Sequence, residues 1–156
     1  EQYMNNGKLE TDSEILLAES NVVETSKRLA LYLLNEGICE FGQDLKHQQQ
    51  ITDILANIFI DIYVAESTVL RAKKMLGNPT SPPSVETVAK IFVAEMAQRM
   101  VQLAETALKG IYNGDLSPLM HENLNAFRSR MYLPTNTIGL KREIAAYAYS
   151  KKSYPY

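Results

Sequence analysis

The 156-residue sequence has one cysteine, Cys39, no tryptophan, and two histidines, His47 and His121. One thiol cannot close an internal disulfide, and a lone cysteine is what a reducing compartment permits, so a cytoplasmic setting fits best. Cys39 shows no sign of a nucleophile's environment and is expected to be a small buried residue. Asp44 and His47 form the only acid with a histidine three residues on, whereas di-iron bundles need such motifs in pairs with further glutamates. No metal site is expected. Sixteen basic and eighteen acidic residues leave a net charge of −2, which offers no electrostatic footprint for nucleic acid and no general attraction to acidic lipids. No run approaches the roughly 18 uninterrupted apolar residues of a membrane span. The polar start Glu-Gln-Tyr-Met-Asn-Asn-Gly lacks the regions of a signal peptide. No alternating pattern of useful length marks a strand.

What is present is helical periodicity. Ile51, Leu55, Ile58, Ile62, Ala65, Val69, Ala72 and Leu76 follow in alternating steps of four and three, which keeps them on one face of a long helix. Phe59, Ile60, Tyr63 and Val64 broaden that face, so this helix is expected to touch neighbours on two sides and to form the centre of the fold. Gly77 and Asn78 predict a left-handed cap, and Pro79, Pro82 and Pro83 prevent continuation. An earlier helix is predicted from the capping box Thr11-Asp12-Ser13-Glu14 through Leu33 and Leu34, ending at Gly37. A third starts near Ser81 or Ser84 and runs toward Gly110, burying Val85, Ala89, Phe92, Met96, Met100, Leu103, Ala107 and Ile111. Ser117-Pro118 starts a short helix holding Leu119, Leu124 and Phe127. A last helix follows Pro134 and holds Ile138, Leu140, Ile144, Ala145 and Ala148.

These elements predict an all-α fold, an antiparallel four- to five-helix up-and-down bundle over residues 11–156. The length suits one domain. Because the first residue is not methionine, residues 1–10 are expected to be the remnant of a linker from a longer parent.

Val88 to Arg99 reads Val-Ala-Lys-Ile-Phe-Val-Ala-Glu-Met-Ala-Gln-Arg. The run resembles the Ala-Lys-x-Phe-x-x-Glu-x-Ala-x-Arg helix in the C-terminal bundle of flavin-dependent acyl-CoA dehydrogenases, matched here by Lys90, Phe92, Glu95, Ala97 and Arg99. Gln50 to Lys74, with Ala56, Ala65, Glu66, Leu70, Arg71 and Ala72, is similar to the helix that precedes it in that family. The resemblance implies a parent oxidoreductase of fatty-acid metabolism that binds FAD. It also implies where the active groups belong, and there the sequence departs. The family's Gln-x-x-Gly-Gly-x-Gly flavin segment falls on Ala107 to Gly114, which keeps only Gly110 and Gly114. The catalytic glutamate before Gly-Thr falls on Ile138 when aligned on Gly139, and an aliphatic side chain has no titratable group. Asp115 is read as a turn or first-turn residue, not a substitute base.

Loss of base and glycines resembles the additional C-terminal helical domain of very-long-chain-type acyl-CoA dehydrogenases. That resemblance implies a fragment inactive alone, without bound cofactor, contributing to subunit assembly or shielding the catalytic part. Its implied partners are the rest of the parent dehydrogenase and its dimer mate, with membrane contact as a further association of that subfamily. The rival reading is an unrelated helical-bundle scaffold or interaction module. At the C-terminal end, Lys141, Arg142, Tyr147, Tyr149, Lys151, Lys152, Tyr154 and Tyr156 place basic and aromatic residues together, a composition suited to interfaces. They are the candidate interface, with intramolecular packing and lipid contact as the alternatives.

Overall fold

A computed structural model of the chain describes residues 15–151, and within them every regular element is helical. In order these are α1 (Leu17–Phe41), a 3-10 segment (Gly42–His47), α2 (Gln49–Leu76), α3 (Ser84–Ile111), α4 (Pro118–Arg130) and α5 (Thr137–Lys151). Short connections turn the chain back on itself, so α1, α2 and α3 each pack against the other two. The smaller α4 closes on α1 and α3, and α5 lies on α3 alone among the helices. The expected all-α bundle is what forms. The capping box at residues 11–14 and the proposed linker at 1–10 lie outside the described residues, and α1 is preceded by Leu16 at φ 56°, itself buried.

The inner row of α2 is buried from Ile51 to Ala72 as its spacing requires, with Leu76 half-buried against the core. On α3, Val85, Ala89, Met96, Met100, Ala107 and Ile111 are buried and Phe92 and Leu103 pack against the core from half-buried positions. However, α3 also buries Ile91, Val93, Ala94, Ala97, Ala104 and Leu108, so α3 and not α2 is the centre of the fold. As expected α2 touches two neighbours, α1 and α3, but Phe59, Ile60, Tyr63 and Val64 do not broaden its buried face, being 42%, 59%, 72% and 38% exposed. The reason is side-chain size and neighbour count. Alanines on the extra faces of α3 let four helices approach it, whereas α2 meets only α1, α3 and the 3-10 segment among the described residues.

Two caps differ from expectation. Gly37 does not end α1; it is buried inside the helix, which continues to Phe41 and stops at Gly42, where φ 51° and ψ −122° suit glycine alone. Gly77 keeps right-handed helical angles, φ −67° and ψ −8°; its N–H donates back to the Lys73 carbonyl and the Asn78 N–H to the Met75 carbonyl. The three prolines downstream are therefore what stops α2 from continuing. Cys39, expected inside, is exposed because Gly37, two residues earlier, occupies the inward position. By contrast, Ser117 caps α4 as predicted, its Oγ accepting from the Met120 N–H at 3.3 Å.

A polar clamp closes the end of the bundle where α3 stops. The Tyr112 hydroxyl donates to Glu36 Oε2 at 2.5 Å, tying the C-cap of α3 to α1. That hydrogen bond, followed by burial, raises the phenol well above its ordinary range, because ionisation would set two negative charges side by side. A folded pKa above the unfolded one means stability fully present below about pH 10 and lost as pH climbs past it. Tyr112→Phe is expected to cost about 1 kcal/mol at pH 7 and to flatten the alkaline limb of a urea-stability profile between about pH 9 and 11. An unchanged alkaline limb in the variant would show that the clamp contributes nothing.

Candidate functional site

The Val88 to Arg99 run acquires a physical reading once it sits in α3. Ala89 and Ala97 are buried where neighbouring helices come close, and Phe92 packs from the edge of the core. The charged positions point outward, and two of them tie α3 to its neighbours. Arg99 makes a two-pronged contact with Asp61 of α2, Nε and Nη2 each 2.8 Å from a carboxylate oxygen. Glu95 pairs with Lys141 of α5. Lys90 pairs with Glu86 one turn back. Such pairs on a partly exposed surface contribute at most about 1 kcal/mol each, so they fix register more than they stabilise.

The glycine segment does not form a nucleotide cradle. Gly110 lies inside α3, where its amide is committed to the helix, and a Cβ there would meet Ile51 Cγ1 of α2 at 3.7 Å. Gly114, at φ 88°, turns the chain after α3, its N–H donating to the Lys109 carbonyl at 2.8 Å. Neither amide faces outward to meet a pyrophosphate. Gly110 borders an open groove of about 400 Å³ that also takes in His47, Thr106 and the start of α2 from Gln48 to Ile51.

Ile138 sits in the first turn of α5 and is 65% exposed. Asn136 caps that turn, its Oδ1 accepting from the Gly139 N–H at 3.0 Å. A Cβ on residue 139 would lie 2.8 Å from Asn136 Nδ2, so the glycine used to align this turn is required by the cap itself. Asp115 is exposed and its N–H donates to the Tyr112 carbonyl, in keeping with a turn. His47 and His121 are both exposed, and among the described residues no group of three or more histidine, cysteine, aspartate or glutamate residues is placed to hold a metal ion.

The C-terminal candidates separate into two faces of α5. Lys141, itself exposed, pairs with Glu95 of α3, and Tyr147 is half-buried with Lys151 Nζ 5.9 Å from its ring centre. Arg142 and Tyr149 face outward with Ile138 and Ala145, and Tyr149 is 85% exposed. Lys152, Tyr154 and Tyr156 lie outside the described residues. Leu140, Ile144, Tyr147 and Ala148 make the inner face, yet no residue of α5 is fully buried. So α5 is a helix attached on one side with apolar groups left on the other.

The C-terminal domain of acyl-CoA dehydrogenases, as a family, matches residues 25–125. The chain belongs to the acyl-CoA dehydrogenase family. Membership sets aside the rival of an unrelated scaffold module. A Bacillus subtilis (strain 168) protein described as a probable acyl-CoA dehydrogenase is 28% identical over 148 residues, covering 93% of this chain and 24% of that protein. The chain thus spans about a quarter of the length of the curated relative it matches. No solved structure matches. No described helix is long and apolar enough to cross a membrane. Within this acyl-CoA dehydrogenase bundle, the outer face of α2 is one place where spacing and structure part. Its second apolar row is plain in the spacing, but the described residues supply no neighbour for it.

Proposed function

We propose that the chain is a non-catalytic C-terminal helical domain of an FAD-dependent acyl-CoA dehydrogenase of fatty-acid β-oxidation, which contributes to subunit assembly or shields the flavin and acyl-CoA region. One observation carries this reading. Aligned on Gly139, the place of the family's proton abstractor falls on Ile138, which is exposed on the outside of α5, and no protonation state of an alkyl group removes an α-proton. The committed amides of Gly110 and Gly114 support the absence of a flavin on this chain. The partners are the rest of the dehydrogenase and its dimer mate, in the cytoplasm, and the outward face of α5 at Arg142 and Tyr149 is the contact with them.

The chain mixed with FAD, an acyl-CoA thioester and a dye acceptor is expected to leave the flavin spectrum unshifted and the dye oxidised. Turnover in that assay would overturn the reading. In a longer dehydrogenase chain carrying this domain, Arg142→Glu with Tyr149→Glu is expected to reduce the mass of the assembly or speed flavin loss. If neither moves, the α5 contact is wrong.

A further inference from the structure

The turn that closes α3 places an asparagine directly before a glycine, Asn113-Gly114, one of two such pairs in the chain; the other, Asn6-Gly7, lies outside the described residues. Asn113 adopts the left-handed region at φ 50°, which asparagine tolerates better than most residues, and Gly114 follows at φ 88°. Both are exposed, and the Asn113 carboxamide has no hydrogen-bonding partner among the described residues. An asparagine before glycine is chemically vulnerable, because a backbone nitrogen with no Cβ beside it closes on the side-chain carbonyl carbon with little obstruction. Here that nitrogen is occupied. The Gly114 N–H donates to the Lys109 carbonyl at 2.8 Å. The turn is also pinned on both sides, by Tyr112 bonded to Glu36 of α1 and by Leu116 packed against the core.

We infer that Asn113 is a self-modification site, a succinimide-forming pair that the cap of α3 holds inactive and that local opening of the cap releases. The amide gives up its proton before it attacks, and while the cap is closed that proton is held by Lys109. When the last turn frays, as helix ends do, hydroxide takes the Gly114 amide proton and the N–Cγ bond forms. Nδ2, protonated by water, then leaves Cγ as ammonia. Water adds across one of the two imide C–N bonds and leaves aspartate or isoaspartate at position 113, with no change of oxidation state and no reagent but water. Neither product rebuilds the cap in full. Aspartate sets a negative charge at the negative end of the α3 dipole, two residues before Asp115 and next to the Tyr112–Glu36 tie. Isoaspartate carries the main chain through the side-chain carbon, so an extra carbon separates residues 113 and 114 and displaces the Gly114 N–H from Lys109. Opening at this end of the bundle is thereby made permanent, and neither a ligand nor a partner is needed for it.

The test is to incubate the chain at mildly alkaline pH, folded and in concentrated urea, and to digest it with trypsin. The peptide from Gly110 to Arg128 carries Asn113 together with Asn123 and Asn125, which precede Leu124 and Ala126 and serve as internal references. In urea Asn113 is expected to gain the mass of water less ammonia well ahead of the other two. In the folded chain the same gain should be about tenfold slower or more, since only the open fraction reacts. Tyr112→Phe, which removes the tie to Glu36, should speed the folded-state reaction about 2- to 10-fold. Asn113→Asp is expected to lower the folding equilibrium constant about two- to fivefold in a urea titration. Asn113→Gly keeps the left-handed turn without a carboxamide and should show no mass gain at this position. Equal rates for Asn113 in the folded and urea-treated chain, a folded rate indifferent to Tyr112→Phe, or no lead of Asn113 over its two references in urea overturns the inference. So does an Asn113→Asp chain as stable as the parent.

Discussion

Ile58→Ala is expected to destabilise the chain by about 2–5 kcal/mol, lowering Tm by roughly 5–15 °C. Ile58 has no exposed surface and stands in the inner row of α2, so truncation removes three carbon atoms from a close-packed position and leaves a void that the surrounding helices fill only in part. The control lies two residues along the same helix. Ile60→Ala makes the same chemical change on the outer face, where the side chain is 59% exposed, and is expected to change monomer stability by less than about 0.5 kcal/mol. Urea titrations at dilute protein should show a lowered midpoint for the first variant and none for the second, with the slope unchanged in both. Equal effects would mean that the two rows of α2 have been assigned to the wrong faces.

Gly37→Leu is expected to destabilise by about 1–3 kcal/mol, whereas Gly37→Ala should be neutral or stabilising by up to about 1 kcal/mol. A Cβ on residue 37 would lie 3.2 Å from Leu45 Cδ1 and 3.9 Å from Ile111 Cδ1. The first neighbour is the end of a flexible side chain, so a single methyl can be accommodated, and alanine gains helix propensity in mid-helix. A leucine cannot be accommodated without lifting the 3-10 segment that carries Leu45 off the end of the bundle. Thermal unfolding of the two variants separates a close-packing role from a capping one. If Gly37 were a left-handed cap, alanine itself would be strongly destabilising.

Much of this was legible beforehand, and the exceptions have a common cause. The inner rows of α2 and α3, the Ser117 cap and the all-helical architecture follow from spacing and local hydrogen-bonding chemistry, which act within a few residues. Gly37, Gly77 and Cys39 were misread because glycine and cysteine carry two meanings each. A glycine after an apolar run can be a left-handed cap or a crossing point, and only the approach of Leu45 decides it for Gly37. A small thiol goes inside or outside according to which face its helix turns inward, and Gly37 took the inward place. At the candidate interface, Lys141 pairs with α3 and Tyr147 is half-buried while Arg142 and Tyr149 face outward, a division that awaits the position of Glu95 on another helix.

Periodicity, turn residues and the Val88 to Arg99 run were enough to point to helices, a bundle and the family. These are properties of residue type and spacing along one chain. Which helix became the centre was decided only in three dimensions. The number of neighbours a helix can take depends on how closely other backbones approach it, and the alanines of α3 admit four where the outer face of α2 has none among the described residues. That asymmetry, a consequence of packing volume and not of hydrophobicity, leaves α2 with an apolar face turned to the outside.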